Sequence, residues 1–262
     1  MKMKRFLALS LAVTAAMSVA AFAQQEEKKY PEPEKMSPRM SEYWTPQPKV
    51  VTPGDIKTNT APSDAIVLFD GKDLSAWRSK KTGEAAGWDV KGGVVTVNKK
   101  AGDIMTKEEF GSFQLHLEWR VPKDIEGKSQ ARGNSGVFLQ GKYEVQILDN
   151  YENETYVNGM VGSLYKQTPP LVNPMRKPGE WNVYDIIYTA PVFKEDGTYL
   201  YRPRVTVILN GVVVQNNTEL LGTTEYIGFP KVAKHGDGPI ILQSHGDPSK
   251  PISFRNMWIR KM

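Results

Sequence analysis

Glu144, Gln146 and Asn134 fall in one short stretch, "RGNSGVFLQGKYEVQILDN", that runs from Arg132 to Asn150. It reads as two short strands joined by a tight Gly-Lys turn. Alternation along "YEVQILD" puts Tyr143, Val145 and Ile147 on one face and Glu144, Gln146 and Leu148 on the other. Glu144 and Gln146 are therefore presented together. A carboxyl can move a proton or accept one from a hydroxyl, and each amide offers both a donor and an acceptor. With Arg132 and Asn134 beside them, these side chains suit a polyhydroxylated ligand, which needs many directional hydrogen bonds. A solvated sheet face is the commoner fate of a lone carboxylate; the pairing with Gln146 sets Glu144 apart.

His245, in "LQSHGDP", is the second candidate. It shares a strand face with Ile241 and Gln243, and Gly246 beside it permits close backbone approach. Imidazole titrates near neutrality and suits general acid–base work, although a lone His near a strand end is more often a structural hydrogen-bonder. Of the three histidines, His116 lies mid-strand in "FQLHLEWR" and reads as structural or surface-exposed, while His235 and His245 flank a Gly-rich bend. Glu118 with Glu144 is the pair the chain would offer to a conventional glycosidase, which needs two carboxyls across one groove.

The absences are as informative. There is no GxSxG, HExxH, P-loop or Rossmann fingerprint, and the lack of cysteine rules out thiol nucleophiles and Cys-based zinc sites. No cofactor is expected and no metal ligand set is named, although carboxylates and carbonyls could hold Ca²⁺.

The elements that must position these residues are short β-type runs. From Ala65 onward the chain is a series of them, including "AIVLFDGKDLSAWRS", "FQLHLEWRV", "WNVYDIIYT", "RVTVILNGVVVQ" and "ISFRNMWIRKM". They are punctuated by Gly, Asn and Asp and show no long amphipathic helical pattern; only "AGDIMTKEEFG" allows a helical turn. Asn210-Gly211 between two apolar runs is a strong hairpin signal. The fold class expected is all-β, a sandwich or barrel. Phe113, Leu115, Leu117 and Trp119 make one apolar row, and Trp77, Trp88, Trp181 and Trp258 are assigned to the core.

Ahead of this lie two other segments. Residues 1–23 combine a basic start, a small apolar run and an Ala-Phe-Ala ending, the pattern of a cleaved signal peptide. Residues 24–60 are rich in Pro and charge and read as an extended arm, packed locally through Tyr43 and Trp44. The domain is expected over 61–262. Removing Lys2, Lys4 and Arg5 with the leader lowers the formal charge from +5 to +2. So small a charge gives no reason to propose nucleic acid as a partner. No membrane-spanning segment is expected after processing, and the periplasm is the expected location. The oligomeric state is not readable.

Seven motifs in order, "LFDGKDLSAW", "GWDVKGGVVTV", "GNSGVFLQGKYEVQILD", "GSLYKQTPP", "GEWNVYDIIYT", "VILNGVVV" and "GPIILQSHGDPSKPISFRNMWIRKM", resemble the 3-keto-disaccharide hydrolase family, also described as 3-keto-glucoside 1,2-lyase/3-keto-2-hydroxy-glucal hydratase. The resemblance spans about residues 65–262. It implies a concanavalin A-like jelly-roll sandwich, a small carbohydrate substrate and an exported enzyme. Gln243, His245, Gly246, Arg255 and Asn256 match the last motif; Ser244 stands where Asp is common. The chemistry implied is removal of the C2 proton, acidified by a C3 ketone, then β-elimination of the aglycone and hydration. His245 and Glu144 are the candidates for base and acid. Arg132, Asn134 and Gln146 are assigned to substrate and enolate stabilisation, with Gln243 as a further substrate contact and Lys166 as a second-rank donor. Two other readings compete: a conventional glycosidase using Glu118 and Glu144, and a carbohydrate-binding module without catalysis.

Overall fold

A computed structural model describes residues 60–262. The expected leader and nearly all of the expected arm lie outside the described residues. Fifteen strands follow in chain order: β1 (Ile66–Phe69), β2 (Trp77–Ser79), β3 (Asp89–Lys91), β4 (Val94–Thr96), β5 (Ile104–Thr106), β6 (Phe113–Arg120), β7 (Ser135–Leu139), β8 (Tyr143–Ile147), β9 (Asn182–Thr189), β10 (Val192–Phe193), β11 (Tyr199–Tyr201), β12 (Arg204–Leu209), β13 (Val212–Glu219), β14 (Ile241–Leu242) and β15 (Ser253–Lys261). All pairings are antiparallel. An eight-stranded sheet runs β13-β12-β9-β6-β15-β4-β3 with β1 added to β15, a five-stranded sheet runs β2-β5-β14-β7-β8, and β10-β11 form a separate ribbon. "AGDIMTKEEFG" supplies β5 and no helical turn.

The two large sheets are the layers of a β-sandwich. Phe113, Leu115, Leu117 and Trp119 of β6 and Tyr184, Ile186 and Tyr188 of β9 share one buried core with Val137 and Leu139 of β7 and Tyr143, Val145 and Ile147 of β8. Each large apolar side chain in it contributes roughly 1.5–3 kcal/mol by leaving water. Two tyrosines also hydrogen-bond across the layers. The Tyr184 hydroxyl donates to the Gln146 carbonyl at 2.7 Å, and the Tyr188 hydroxyl donates to Gln140 Oε1 at 2.8 Å. Both bonds pin the β7–β8 hairpin from beneath.

That hairpin turns through Gln140, Gly141 and Lys142, with Leu139 opposite Tyr143. Gln140 and Gly141 take the left-handed region at φ 50° and 67°, so the loop begins one residue before the expected Gly-Lys turn. Gln140 is buried there and its amide donates to the Phe110 carbonyl at 3.0 Å, which makes it a structural plug. Asn210-Gly211, at φ 54° and 81°, joins β12 to β13 as the sequence suggests. Trp77, Trp88 and Trp258 are buried. Trp181 is not a core residue: it is half-buried on the outer surface, held between the guanidinium groups of Arg120 and Arg255, 4.5 and 4.2 Å from its ring. Those two cations, each attracted to the face of an indole, explain an aromatic outside the sandwich.

Candidate active site

Alternation now decides which side chains can share a site. In β8 the Tyr143 row enters the core, so Glu144 and Gln146 project from the outer face of the five-stranded sheet. There they line a cavity of about 670 Å³ together with Asn134, Lys166, Gln243 and His245, and with Gln130, Phe138, Tyr156, Tyr165, Thr224 and Tyr226. The strand beyond β8 is continued by residues 162–166. The Gln146 amide N–H donates to the Ser163 carbonyl at 3.0 Å, and the Tyr165 N–H donates to the Glu144 carbonyl at 3.1 Å. This brings Tyr165 and Lys166 to the wall. On the other side β7 pairs with β14, and the Gln243 N–H donates to the Gly136 carbonyl at 3.0 Å, which carries Gln243 and His245 to the opposite wall.

Glu144 is 5 % exposed. Burial, and then the negative charge of Asp103, push its carboxyl up to about 8, since desolvation and a like charge both disfavour the ionised form. Its place depends on Gly136, which pairs with Gln146 and lies diagonally across the hairpin from Glu144: a Cβ there would lie 2.3 Å from Glu144 Oε1. Asp103 is itself fixed, accepting from the Ser244 N–H at 2.9 Å and from Lys80 Nζ at 3.0 Å. The Gln146 amide bridges two sets of partners. With its nitrogen toward Glu144 it donates to Oε1 and to the Ser135 carbonyl, 3.1 Å each. In the opposite orientation it donates to Gln130 Oε1 at 3.2 Å and Asn134 Oδ1 at 3.3 Å. Asn134 Nδ2 donates to the Gln130 carbonyl at 2.9 Å. A carboxyl and three linked amides thus floor the cavity.

His245 is paired with Asp247. Nδ1 lies 3.2 Å from Asp247 Oδ2 and accepts the Asp247 backbone N–H at 3.1 Å. Burial alone would raise the Asp247 carboxyl, but hydrogen bonds from His245 and Ser249, with Lys99 Nζ 3.6 Å away, outweigh it and hold the group below its ordinary value. At the rim, Lys166 Nζ donates to the Tyr226 carbonyl at 2.5 Å and sits 4.6 Å from the Tyr226 ring centre. The Tyr156 and Tyr165 hydroxyls are 2.7 Å apart.

Of the sequence-predicted residues, the cavity gathers Glu144, His245, Asn134, Gln146, Lys166 and Gln243. Arg132 is the exception and is corrected here. Its Nε is 2.7 Å from the carboxylate of Asp149, a residue with no exposed side chain, so the guanidinium neutralises a buried charge and does not line the cavity. The Glu118/Glu144 pair is also overturned. Glu118 belongs to the β6 row opposite Leu117 and Trp119, and so lies outside the eight-stranded sheet with the whole core between it and Glu144. It cannot share a groove with Glu144. Asp247, two residues from His245, was visible in "SHGDP" as a spacing that lets a carboxylate turn back on an imidazole. Tyr156, Thr224 and Tyr226 stand in irregular segments, where alternation gives no signal. Among the described residues no three His, Asp or Glu side chains gather as metal ligands.

Carboxyl, imidazole and amide groups on the outer face of one sheet of a sandwich suit a carbohydrate-active hydrolase, and the family and relatives of this chain carry that description. The chain belongs to the 3-keto-alpha-glucoside-1,2-lyase-like domain family, whose model matches residues 64–260. It is 25% identical over 241 residues to the 3-keto-disaccharide hydrolase of Bacteroides thetaiotaomicron, covering 74% of this chain and 77% of that one. A crystal structure from Parabacteroides distasonis, described provisionally as a glycosyl hydrolase, is 69% identical with a TM-score of 0.84 and covers 87% of this chain and 97% of that one. A second P. distasonis structure, described in the same way, shares the fold at 22% identity and a TM-score of 0.55, covering 76% of this chain and 94% of that one.

Proposed function

We propose that this chain cleaves the glycosidic bond of 3-keto-glucosides by elimination and rehydration, with net hydrolysis. The observation that carries the reading is the meeting, in one cavity, of a buried carboxyl, pushed above the usual carboxylate range by burial, with a histidine that contacts an aspartate. For Nε2 to act as the base, the proton must sit on Nδ1 and point to Asp247 Oδ2. That gives up the bond which Nδ1 accepts from the Asp247 backbone N–H. Nε2 takes the C2 proton, and the electron pair delocalises onto the C3 oxygen. The amides of Gln146, Asn134 and Gln130 are the donors available to that oxygen; Gln243 contacts the sugar. The C1–O bond then breaks, its electron pair leaves with the aglycone oxygen, and Glu144 supplies the proton. Water adds across C1=C2, hydroxyl to C1 and proton to C2, so one water is consumed for each bond cleaved. Positioned proton transfer of this kind contributes about 10²–10⁴-fold.

The name of the B. thetaiotaomicron relative supports an oxidised disaccharide-type substrate. The leader expected over 1–23 would place the reaction in the periplasm. The test is to incubate the purified chain with a 3-keto-glucoside and its unoxidised counterpart. Release of aglycone from the keto compound alone is expected. Cleavage of the unoxidised glucoside at a comparable rate indicates an ordinary glycosidase, and binding without turnover of either indicates a lectin-like module.

A further inference from the structure

Tyr156 and Tyr165 meet on the cavity wall with their hydroxyls 2.7 Å apart, and neither hydroxyl has another partner among the described residues. Two hydroxyls that share one hydrogen bond use one of their two protons. The other is left over. Tyr165 is 9% exposed and Tyr156 41%, and a buried donor must be paired where a wet one need not be. Tyr165 therefore donates, and Tyr156 keeps the free proton on the cavity side. Burial holds both hydroxyls above the ordinary tyrosine value, so both protons are present at neutral pH. An O–H whose oxygen already accepts a hydrogen bond is the stronger donor for it.

Both rings are held from behind. The bond from the Tyr165 N–H to the Glu144 carbonyl sets that residue beside Glu144. Tyr156 packs against Gly159, where a Cβ would strike its Cε2. Gln130 Nε2 donates at 2.9 Å both to the Gly159 carbonyl and to the Thr155 hydroxyl, which ties Tyr156 to the amide floor. The amides of that floor spend protons on the protein: Gln130 in the two bonds just given, and Asn134 on the Gln130 carbonyl and Oε1 at 2.9 and 3.2 Å. Each must leave a partner before it reaches a substrate oxygen. The Tyr156 proton need not, and donors already in place serve best for charge that develops during a reaction. With its oxygen taken up by Tyr165, Tyr156 presents mainly a proton. That suits a carbonyl oxygen better than a hydroxyl, which has a proton of its own to place.

We propose that Tyr156, oriented by Tyr165, donates to the C3 oxygen of the sugar and stabilises the enolate that forms there. This rests on reading the cavity as a 3-keto-glucoside site. The proton stays on Tyr156, and its hydrogen bond strengthens as the electron pair of the C2–H bond moves onto the C3 oxygen. The test separates enolisation from bond cleavage. Wild type, Tyr156→Phe and Tyr165→Phe are compared on a 3-keto-glucoside and on the same sugar with hydrogen in place of the aglycone oxygen at C1. The second compound can exchange its C2 proton in D₂O but has nothing to eliminate, and competition against the glucoside reads its occupancy. Tyr156→Phe is expected to lower kcat for cleavage and the exchange rate alike, by about 10²–10³-fold, the usual cost of one such donor. Its KM should stay within a few-fold of wild type, the mark of a bond made in the transition state, with an unchanged unfolding midpoint. Tyr165→Phe should show the same pattern at about tenfold. A loss confined to cleavage assigns Tyr156 to the leaving group, and a loss carried by KM assigns it to substrate binding. Either overturns the proposal alone, as does an unchanged rate. A wild-type enzyme that cleaves or binds without exchanging the C2 proton overturns the functional reading along with it.

Discussion

Two glutamates on opposite sides of the sandwich show what surroundings do to one functional group. Glu118 and Glu144 are both buried carboxyls on the outward rows of their strands, β6 inside its sheet and β8 at the end of its own. Burial would raise Glu118, but His116, Asn256 at 2.9 Å and Arg255 at 2.6 Å outweigh it, and its carboxyl falls to about 2. Glu144 is buried with no cation against it among the described residues, has the charge of Asp103 nearby, and rises to about 8. Full compensation makes Glu118 an inert structural anion. The lack of it suits Glu144 to the acid role proposed for it. Groups shifted in this manner concentrate at functional sites.

The sharpest way to break the comparison is to neutralise each partner in turn. Glu144→Gln and His245→Ala should each lower kcat/KM by about 10²–10⁴-fold, whereas Glu118→Gln should leave the rate of the folded enzyme within a few-fold. Steady-state kinetics on a 3-keto-glucoside decides it, and a large rate loss in the Glu118 variant would return that residue to the mechanism. Gly136→Ala comes next. The added methyl would displace the Glu144 carboxyl, so activity should drop more than about tenfold for a stability cost of about 1–3 kcal/mol, the usual range for overpacking.

Stability separates the two residues in the opposite sense. Glu144 is protonated in the folded state up to about 8 but ionises at 4.5 in the unfolded chain. Between these values the folded state binds the extra proton, so raising pH favours unfolding, and the full penalty is present above 8. Glu144→Gln should therefore unfold at a higher temperature than wild type at pH 9. Glu118→Gln should unfold at a lower one, through a loss of about 1.5–3 kcal/mol of stability, the worth of hydrogen bonds to a charged group. His116 shifts as far as Glu118 and in the opposite direction. Burial would lower it, but Asp185 at 2.7 Å and Glu118 outweigh that and raise it from 6.5 to about 9. Its contribution is complete below pH 6.5 and disappears as pH passes 9, and that part of the profile should flatten in His116→Gln. Calorimetric scans across pH 6–10 measure all three.

The sequence made the sheet faces legible because period-two alternation is a direct consequence of the pleat. It predicted that Glu144 and Gln146 leave the core together, and the same rule applied to "FQLHLEWR" would have separated Glu118 from Glu144 once the two strands were known to lie in different sheets. That last fact is a matter of topology, which no local pattern encodes. Arg132 was misread for a related reason: whether a guanidinium meets substrate or a buried aspartate depends on a neighbour seventeen residues away. The rim of Tyr156, Thr224 and Tyr226 was illegible since irregular backbone imposes no spacing on its side chains.

The most direct test of the central claim, that bond cleavage passes through loss of the C2 proton, is to run the reaction on a 3-keto-glucoside in D₂O. Mass and NMR spectra of the earliest released sugar should show one deuterium at C2, delivered from solvent during hydration. Prompt cleavage that leaves C2 fully protonated would contradict the elimination and point to direct displacement at C1.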